Sequence, residues 1–223
     1  MDVLSARESG EMYRLAVDGL PYDIDIPWVR IRSRGRVIRI ASLNLVGQIR
    51  LNADLGGLLA ELIRANTPDL AKTAILTVVE KGLQVTQVAA MRLGIEAVAV
   101  AYNRVKPHME PDRRPVIQVG ADSITSGGKF LALYERDMNL LAGAENVILI
   151  DDVVSSGGTI LSLADLLEEA ARQRGIMVPR ITGIFCVAKE GDKHPLLPAP
   201  VHALATLPMP VAEFDASAPE KDA

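Results

Sequence analysis

The chain has 223 residues, 49% of them hydrophobic and 23% charged, with a formal net charge of -4. This length allows one sizeable core plus a small appendage, and the acidic balance argues against the broad basic field of a nucleic-acid-binding protein. No apolar run approaches the roughly 20 residues of a bilayer span, the opening MDVLSARESGEMYR has no signal-peptide core, and the single cysteine, Cys186, cannot form an internal disulfide. A cytoplasmic location is expected, with Cys186 as a small core residue.

In chain order, residues 1–40 mix short alternating runs with turn residues, and SRGR (Ser33 to Arg36) reads as a hairpin turn, so this part is expected to be a small β-rich subdomain. Asn52 can cap a helix in which Leu55, Leu58, Leu59, Leu62 and Ile63 repeat at helical spacing. TAILTVV (Thr73 to Val79) has the length and branching of a buried strand, and a helix from about Leu83 to Leu93 should end at Gly94. EAVAVAY (Glu96 to Tyr102) reads as a second strand. The next segment, Arg104 to Gly128, carries Arg104, Lys106, Arg113 and Arg114 among Pro107, Pro111 and Pro115, and is read as an irregular lid. NVILI (Asn146 to Ile150) is a third strand, Thr159 to Arg174 a helix stopped by Gly175, and RITGIFCVA (Arg180 to Ala188) a fourth strand. His108 and His194 fall in loops, while His202 suits strand packing. Buried strands alternating with helices imply an α/β core over 41–210, with a parallel sheet covered on both faces. The remaining 211–223 is expected to be a disordered tail.

The stretch VILIDDVVSSGGT (Val147 to Thr159) places two carboxylates at the end of a buried strand, next to a loop of small residues leading into a helix. Ligands in open α/β sheets bind beyond the carboxyl ends of the strands. The free N–H groups and dipole of a helix N-terminus favour an anion there. Gly157 and Gly158 let the backbone close around a phosphate, and Ser155, Ser156 and Thr159 add hydroxyls. Asp151 and Asp152 would repel that phosphate unless they serve another part of the same ligand. Sugar hydroxyls, Mg²⁺ or a developing positive charge would suit them, and a sugar phosphate that becomes cationic during reaction satisfies all three. Other phosphate motifs fail: no G-x-G-x-x-G opens a helix, and SITSGGKF has Phe130 where a Walker A loop needs Ser or Thr.

VILIDDVVSSGGT resembles the phosphoribosyl pyrophosphate (PRPP) signature of the type I phosphoribosyltransferases. VEKG (Val79 to Gly82) resembles the short pyrophosphate loop of that family. VKPHM followed by SITSGGK is similar to its mobile catalytic loop and return strand, and AKEGD (Ala188 to Asp192) to the segment leading to the base pocket in an adenine/xanthine-like branch. The resemblance implies a type I phosphoribosyltransferase fold with residues 1–40 as a hood. It implies transfer of the phosphoribosyl group to a purine base, with pyrophosphate released and a nucleoside monophosphate formed. Asp151 and Asp152 would address the ribose hydroxyls and, directly or through water, Mg²⁺. Val154, Ser155, Ser156, Gly157, Gly158 and Thr159 would hold the 5′-phosphate, and Lys81 and Gly82 the pyrophosphate. Arg104 and Lys106 would supply catalytic positive charge, and Lys189, Glu190 and Asp192 would face the base. A cytoplasmic homodimer is expected, with no membrane or nucleic-acid partner.

Two stretches depart from the family pattern. Tyr102-Asn103 stands where relatives carry an Arg-Lys pair, and Val79 where a Glu is usual, with Glu80 one place late. Ser155 occupies a position that is acidic in the 6-oxopurine salvage enzymes, whereas adenine-type and xanthine-type enzymes have a small residue there. Two alternatives stay open: a PRPP-sensing regulator that has lost turnover, and a phosphoribosyltransferase for a pyrimidine or other acceptor.

Overall fold

The structure, a computed structural model, describes residues 7–33, 36–103, 117–119, 131–191, 194 and 196–213. In chain order its strands and helices are β1 (Arg7–Leu15), β2 (Ile24–Ser33), β3 (Arg36–Ala41), α1 (Ile49–Asn66), β4 (Thr73–Val78), α2 (Leu83–Leu93), β5 (Ala99–Ala101), β6 (Ile117–Val119), β7 (Leu131–Leu133), α3 (Glu135–Ala142), β8 (Asn146–Val154), α4 (Gly158–Arg174), β9 (Arg180–Glu190), β10 (Val201–Leu207) and β11 (Val211–Glu213). Among these residues no helix is long and apolar enough to cross a membrane.

The core sheet has the order β10-β9-β8-β4-β5 with every neighbouring pair parallel. Successive side chains of a strand point to opposite faces, and β8 divides its apolar run accordingly. Ile148 and Ile150 join the cluster under α1 and α2, with Leu55, Leu59, Ile63 and Val85. Val147 and Leu149 join the cluster under α3 and α4, with Met138, Leu141, Leu163 and Leu166. Both faces are therefore covered, which is why the strands read as near-continuous apolar runs. This is the expected α/β fold.

A second sheet, β1-β2-β3-β11, is antiparallel. Its inner residues Leu15, Ile24 and Ile26 pack into the α1/α2 cluster. β11 pairs with β3, with Val211 opposite Arg39 and Glu213 opposite Val37. The start of the expected tail is thus a strand, bound by long-range pairing and by the ion pair of Glu213 with Arg30 at 2.6 Å. Because β11 follows β10 after three residues, the antiparallel sheet is tethered near the carboxyl end of the core sheet.

Other boundaries move for local reasons. α1 begins at Ile49 with Gln48 at its N-cap. Asn52 is buried inside the helix, where its Nδ2 donates to the carbonyls of Leu45 at 2.6 Å and Gln48 at 2.9 Å. It ties down the approach to the helix rather than capping it. β5 is shorter than expected, and Tyr102 leaves it to form an isolated antiparallel bridge with Ala132. β6 pairs with β7 inside and beyond the expected lid, so that stretch is not irregular throughout. Arg104, Lys106, Arg113 and Arg114, on which the lid reading rests, lie outside the described residues.

Candidate functional site

Three segments meet at the carboxyl end of β8. The apolar residues Val147 to Ile150 are fully buried and fix the strand in the centre of the sheet. β8 then continues past its neighbour β4, whose last pairing is Thr77 with Ile150. Asp151 and Asp152 are the first residues beyond that pairing. On the other side β8 stays paired to β9, with Asp151 opposite Cys186 and Val154 opposite Lys189. Asp151 is 6% exposed, and its Oδ1 accepts the N–H of Asp152 at 2.9 Å, whereas Asp152 is half-buried. One carboxylate is therefore fixed in orientation by its own chain neighbour.

The turn after β4 fills the space that the end of β4 leaves beside the two acids. Gly82 is buried there, and a Cβ placed on it would lie 2.8 Å from Asp152 N and 3.1 Å from Asp151 C. A side chain at this position would collide with backbone, so glycine is what allows the turn to rest on the Asp151–Asp152 peptide. The turn is anchored below by Thr77 Oγ1 donating to the Ile150 carbonyl at 2.9 Å, and above by Thr86 Oγ1 donating to the Gly82 carbonyl at 2.7 Å. Lys81 is exposed, and its Nζ donates to the Leu43 carbonyl at 3.4 Å, a long contact.

The small-residue loop follows the acids directly in the chain, between β8 and α4. Val154 is buried, Ser155 and Ser156 are exposed, and Gly157 is buried with φ +80° at the N-cap of α4. No side chain caps this helix and no acid stands in its first turn. The N-terminal amides of a 17-residue helix, with their dipole, therefore face the loop without a built-in anion. Leu197, from the segment joining β9 to β10, packs on Gly157: a Cβ there would lie 2.5 Å from Leu197 Cδ2.

At the end of β9, Lys189 and Glu190 extend the strand and are half-buried. Burial pushes the Glu190 carboxyl above the ordinary carboxylate range. Gly191 follows with φ +71°, close under Met209. Asp192 lies outside the described residues, as do Arg104 and Lys106. Tyr102 has a packing role: it exchanges two 2.8 Å backbone hydrogen bonds with Ala132 and meets the Tyr134 ring edge-on at 4.9 Å between centroids. Asn103 is exposed.

Among the described residues no group of three or more His, Cys, Asp or Glu could hold a metal ion. Mg²⁺ does not need such a cage. It typically takes one or two carboxylates and completes its shell with water and substrate phosphates, so either carboxylate, Asp151 or Asp152, is a suitable donor.

The structure thus brings together Asp151, Asp152, Gly82 and the loop Val154 to Thr159, with Lys81 at the edge and Lys189 and Glu190 one strand away. Sequence reasoning missed Thr77, Leu197 and Met209. The apolar pair Leu196-Leu197 within the proline-rich KHPLLPAP is the one signal that pointed to a packing role in a loop.

A family model described as a phosphoribosyl transferase domain matches residues 47–180, more than half of the chain. Xanthine phosphoribosyltransferase of Deinococcus deserti is 27% identical over 184 residues, covering 79% of this chain and 89% of that protein. Adenine phosphoribosyltransferase of Salinispora tropica is 29% identical over 116 residues, covering 51% of this chain and 58% of that protein. The fold is shared with a solved adenine phosphoribosyltransferase at TM-score 0.53 and 17% identity, covering 86% of this chain and 94% of that one. It is shared also with the enzyme of Thermoanaerobacter pseudethanolicus at TM-score 0.51 and 17% identity, covering 73% and 84%. The chain belongs to the phosphoribosyl transferase family and is an enzyme of that family.

Proposed function

We propose that the chain transfers the 5-phosphoribosyl group of PRPP to a purine base of the xanthine or adenine type, giving a nucleoside monophosphate and pyrophosphate. The observation that carries this reading is the packing of Gly82 on the Asp151–Asp152 peptide. It sets a turn suited to pyrophosphate beside two acids, and the acids lie beside an anion-binding helix N-terminus. PRPP has a pyrophosphate, two ribose hydroxyls and a 5′-phosphate in that same sequence.

In this reading, Ser155 to Thr159 hold the 5′-phosphate, with Gly157 and Gly158 as backbone donors. Lys81 and Gly82 meet the pyrophosphate. A purine ring nitrogen gives its lone pair to ribose C1, pyrophosphate leaves with the C1–O electron pair, and the base loses one proton. Asp151 and Asp152 stabilise the positive charge that C1 develops on the way. Asp151 and Asp152 would hold Mg²⁺ directly or through water, and the ion would supply positive charge for the leaving pyrophosphate. Arg104 and Lys106 are assigned to the same leaving group. Lys189, a donor only, matches an oxo oxygen of the base, and Glu190 and Asp192 match its N–H groups. A cytoplasmic homodimer is part of the proposal.

The test is incubation of the purified protein with PRPP, Mg²⁺ and each of xanthine, adenine, guanine and orotate, following nucleotide and pyrophosphate. Nucleotide from xanthine or adenine is the expected result. Product from orotate alone would overturn the purine assignment. Tight PRPP binding with no product from any base would favour a PRPP-sensing regulator, a reading to which the packing role of Tyr102 lends support.

A further inference from the structure

Resting on that reading of the loop as the 5′-phosphate site, we propose that Leu197 is a positioning residue. It braces Gly157 in the left-handed conformation that turns the first amides of α4 toward the phosphate.

Four observations carry this. Gly157 is a buried N-cap with φ +80°, a backbone state in which the loop direction reverses before the helix. Its Cα surface is covered by the Leu197 side chain, whose Cδ2, Cγ and Cδ1 would lie 2.5, 3.3 and 3.4 Å from a Cβ at that position. Leu197 is itself held from behind: it packs against the α3/α4 cluster that contains Val154 and Ile160, the residues on either side of the loop. Its backbone is held as well, since Leu197 N donates to the His194 carbonyl at 3.2 Å and the Pro200 carbonyl accepts the N–H of Ile184 at 2.9 Å. The adjacent Leu196 is 84% exposed and shares none of this packing.

A flexible loop that must adopt one conformation to bind an anion loses affinity by the fraction of time it spends elsewhere. Leu197 excludes the space into which the Gly157 segment would relax. Its effect should therefore fall on ligands that use this loop. Ligands that use the Lys81-Gly82 turn across the site should not feel it.

The experiment measures dissociation constants of ribose 5-phosphate and of pyrophosphate with Mg²⁺, together with steady-state constants for PRPP, on wild type, Leu197→Ala, Leu197→Met and Leu196→Ala. Leu197→Ala is expected to weaken ribose 5-phosphate and raise the KM for PRPP by about tenfold or more, with kcat nearly unchanged and pyrophosphate affinity retained. Leu197→Met should restore most of the loss, and Leu196→Ala should match wild type. If Leu197→Ala does not fold, Leu197→Val is measured for the same split. Equal weakening of ribose 5-phosphate and pyrophosphate, or undiminished ribose 5-phosphate affinity, would overturn the proposal. Failure of the wild-type protein to bind ribose 5-phosphate would instead overturn the assignment of the loop itself.

Discussion

Gly82 and Asp152 are in backbone contact across the site, although 70 residues separate them in the chain, and a single methyl group on Gly82 would come within 2.8 Å of the Asp152 nitrogen. The turn after β4 is thus packed directly on the backbone of the two acids near the end of β8.

Gly82→Ala should act on the site more than on the fold. Overpacking a close backbone contact typically costs about 1–3 kcal/mol, and here relief requires moving either the turn or the Asp151–Asp152 peptide. The expected result is a loss in kcat/KM of at least about tenfold, since geometric misplacement of about 1 Å can cost about 10²-fold, with a cooperative unfolding transition retained. Full activity in Gly82→Ala would show that the contact is slack and that the two segments are not coupled.

Asp151→Asn and Asp152→Asn separate charge from shape. In Asp151→Asn the side-chain amide oxygen can still accept the Asp152 N–H, so the local hydrogen bond survives while the negative charge is lost. If the carboxylates act on charge that develops at C1, each variant should lower kcat by about 10²–10³-fold with a much smaller change in PRPP affinity. Turnover and calorimetric titration on the same preparations check this. A change confined to KM would reduce the acids to substrate positioning.

What could be read from the sequence here was what neighbouring residues determine. The strand, the two acids, the loop and the helix start of VILIDDVVSSGGT are contiguous, so their order alone sets the arrangement. Helix α2 and its stop at Gly94 were legible for the same reason, the stop because Gly94 takes φ +75°. Contacts between distant segments left no such trace. Nothing near Gly82 announces that it rests on Asp152, nothing near Gly157 announces Leu197, and the pairing of Val211–Glu213 with β3 joins two ends of the chain. Asn52 does not cap α1: a helix-capping residue type and a buried hydrogen-bond donor look alike in sequence and differ only in the approach to the helix.

Cys186 should be chemically silent in the native protein. It is fully buried, its Sγ donates to the His202 carbonyl at 3.8 Å, and burial pushes its thiol up to about 12, with Asp151 and Asp152 nearby acting in the same direction. At pH 8 only about one thiol in ten thousand is then thiolate. Alkylation by iodoacetamide at that pH should be undetectable over hours and become complete when denaturant unfolds the chain. Prompt labelling of native protein would mean that β9 opens readily beside Asp151 and Asp152.

Glu190 should make the protein less stable as pH rises through the acidic range. Burial raises its native pKa above the ordinary value of 4.5. Below about 4.5 the carboxyl is protonated in both native and unfolded states and has no net effect. Between that value and the raised native value, the folded protein keeps a proton that the unfolded chain has released. Its stability therefore falls with pH across that window and remains lower above it. Glu190→Gln removes the ionisation while keeping size and polarity. Its Tm should match wild type near pH 4, rise above wild type as pH increases, and stay higher at pH 7. A thermal-unfolding series from pH 4 to 8 on both proteins checks the sign. A lower Tm for Glu190→Gln at pH 7 would mean that a cation, with Lys189 the adjacent candidate, holds the carboxylate ionised and outweighs its desolvation. Glu190 would then belong to an ion pair at the end of β9 rather than being a half-buried acceptor awaiting the base.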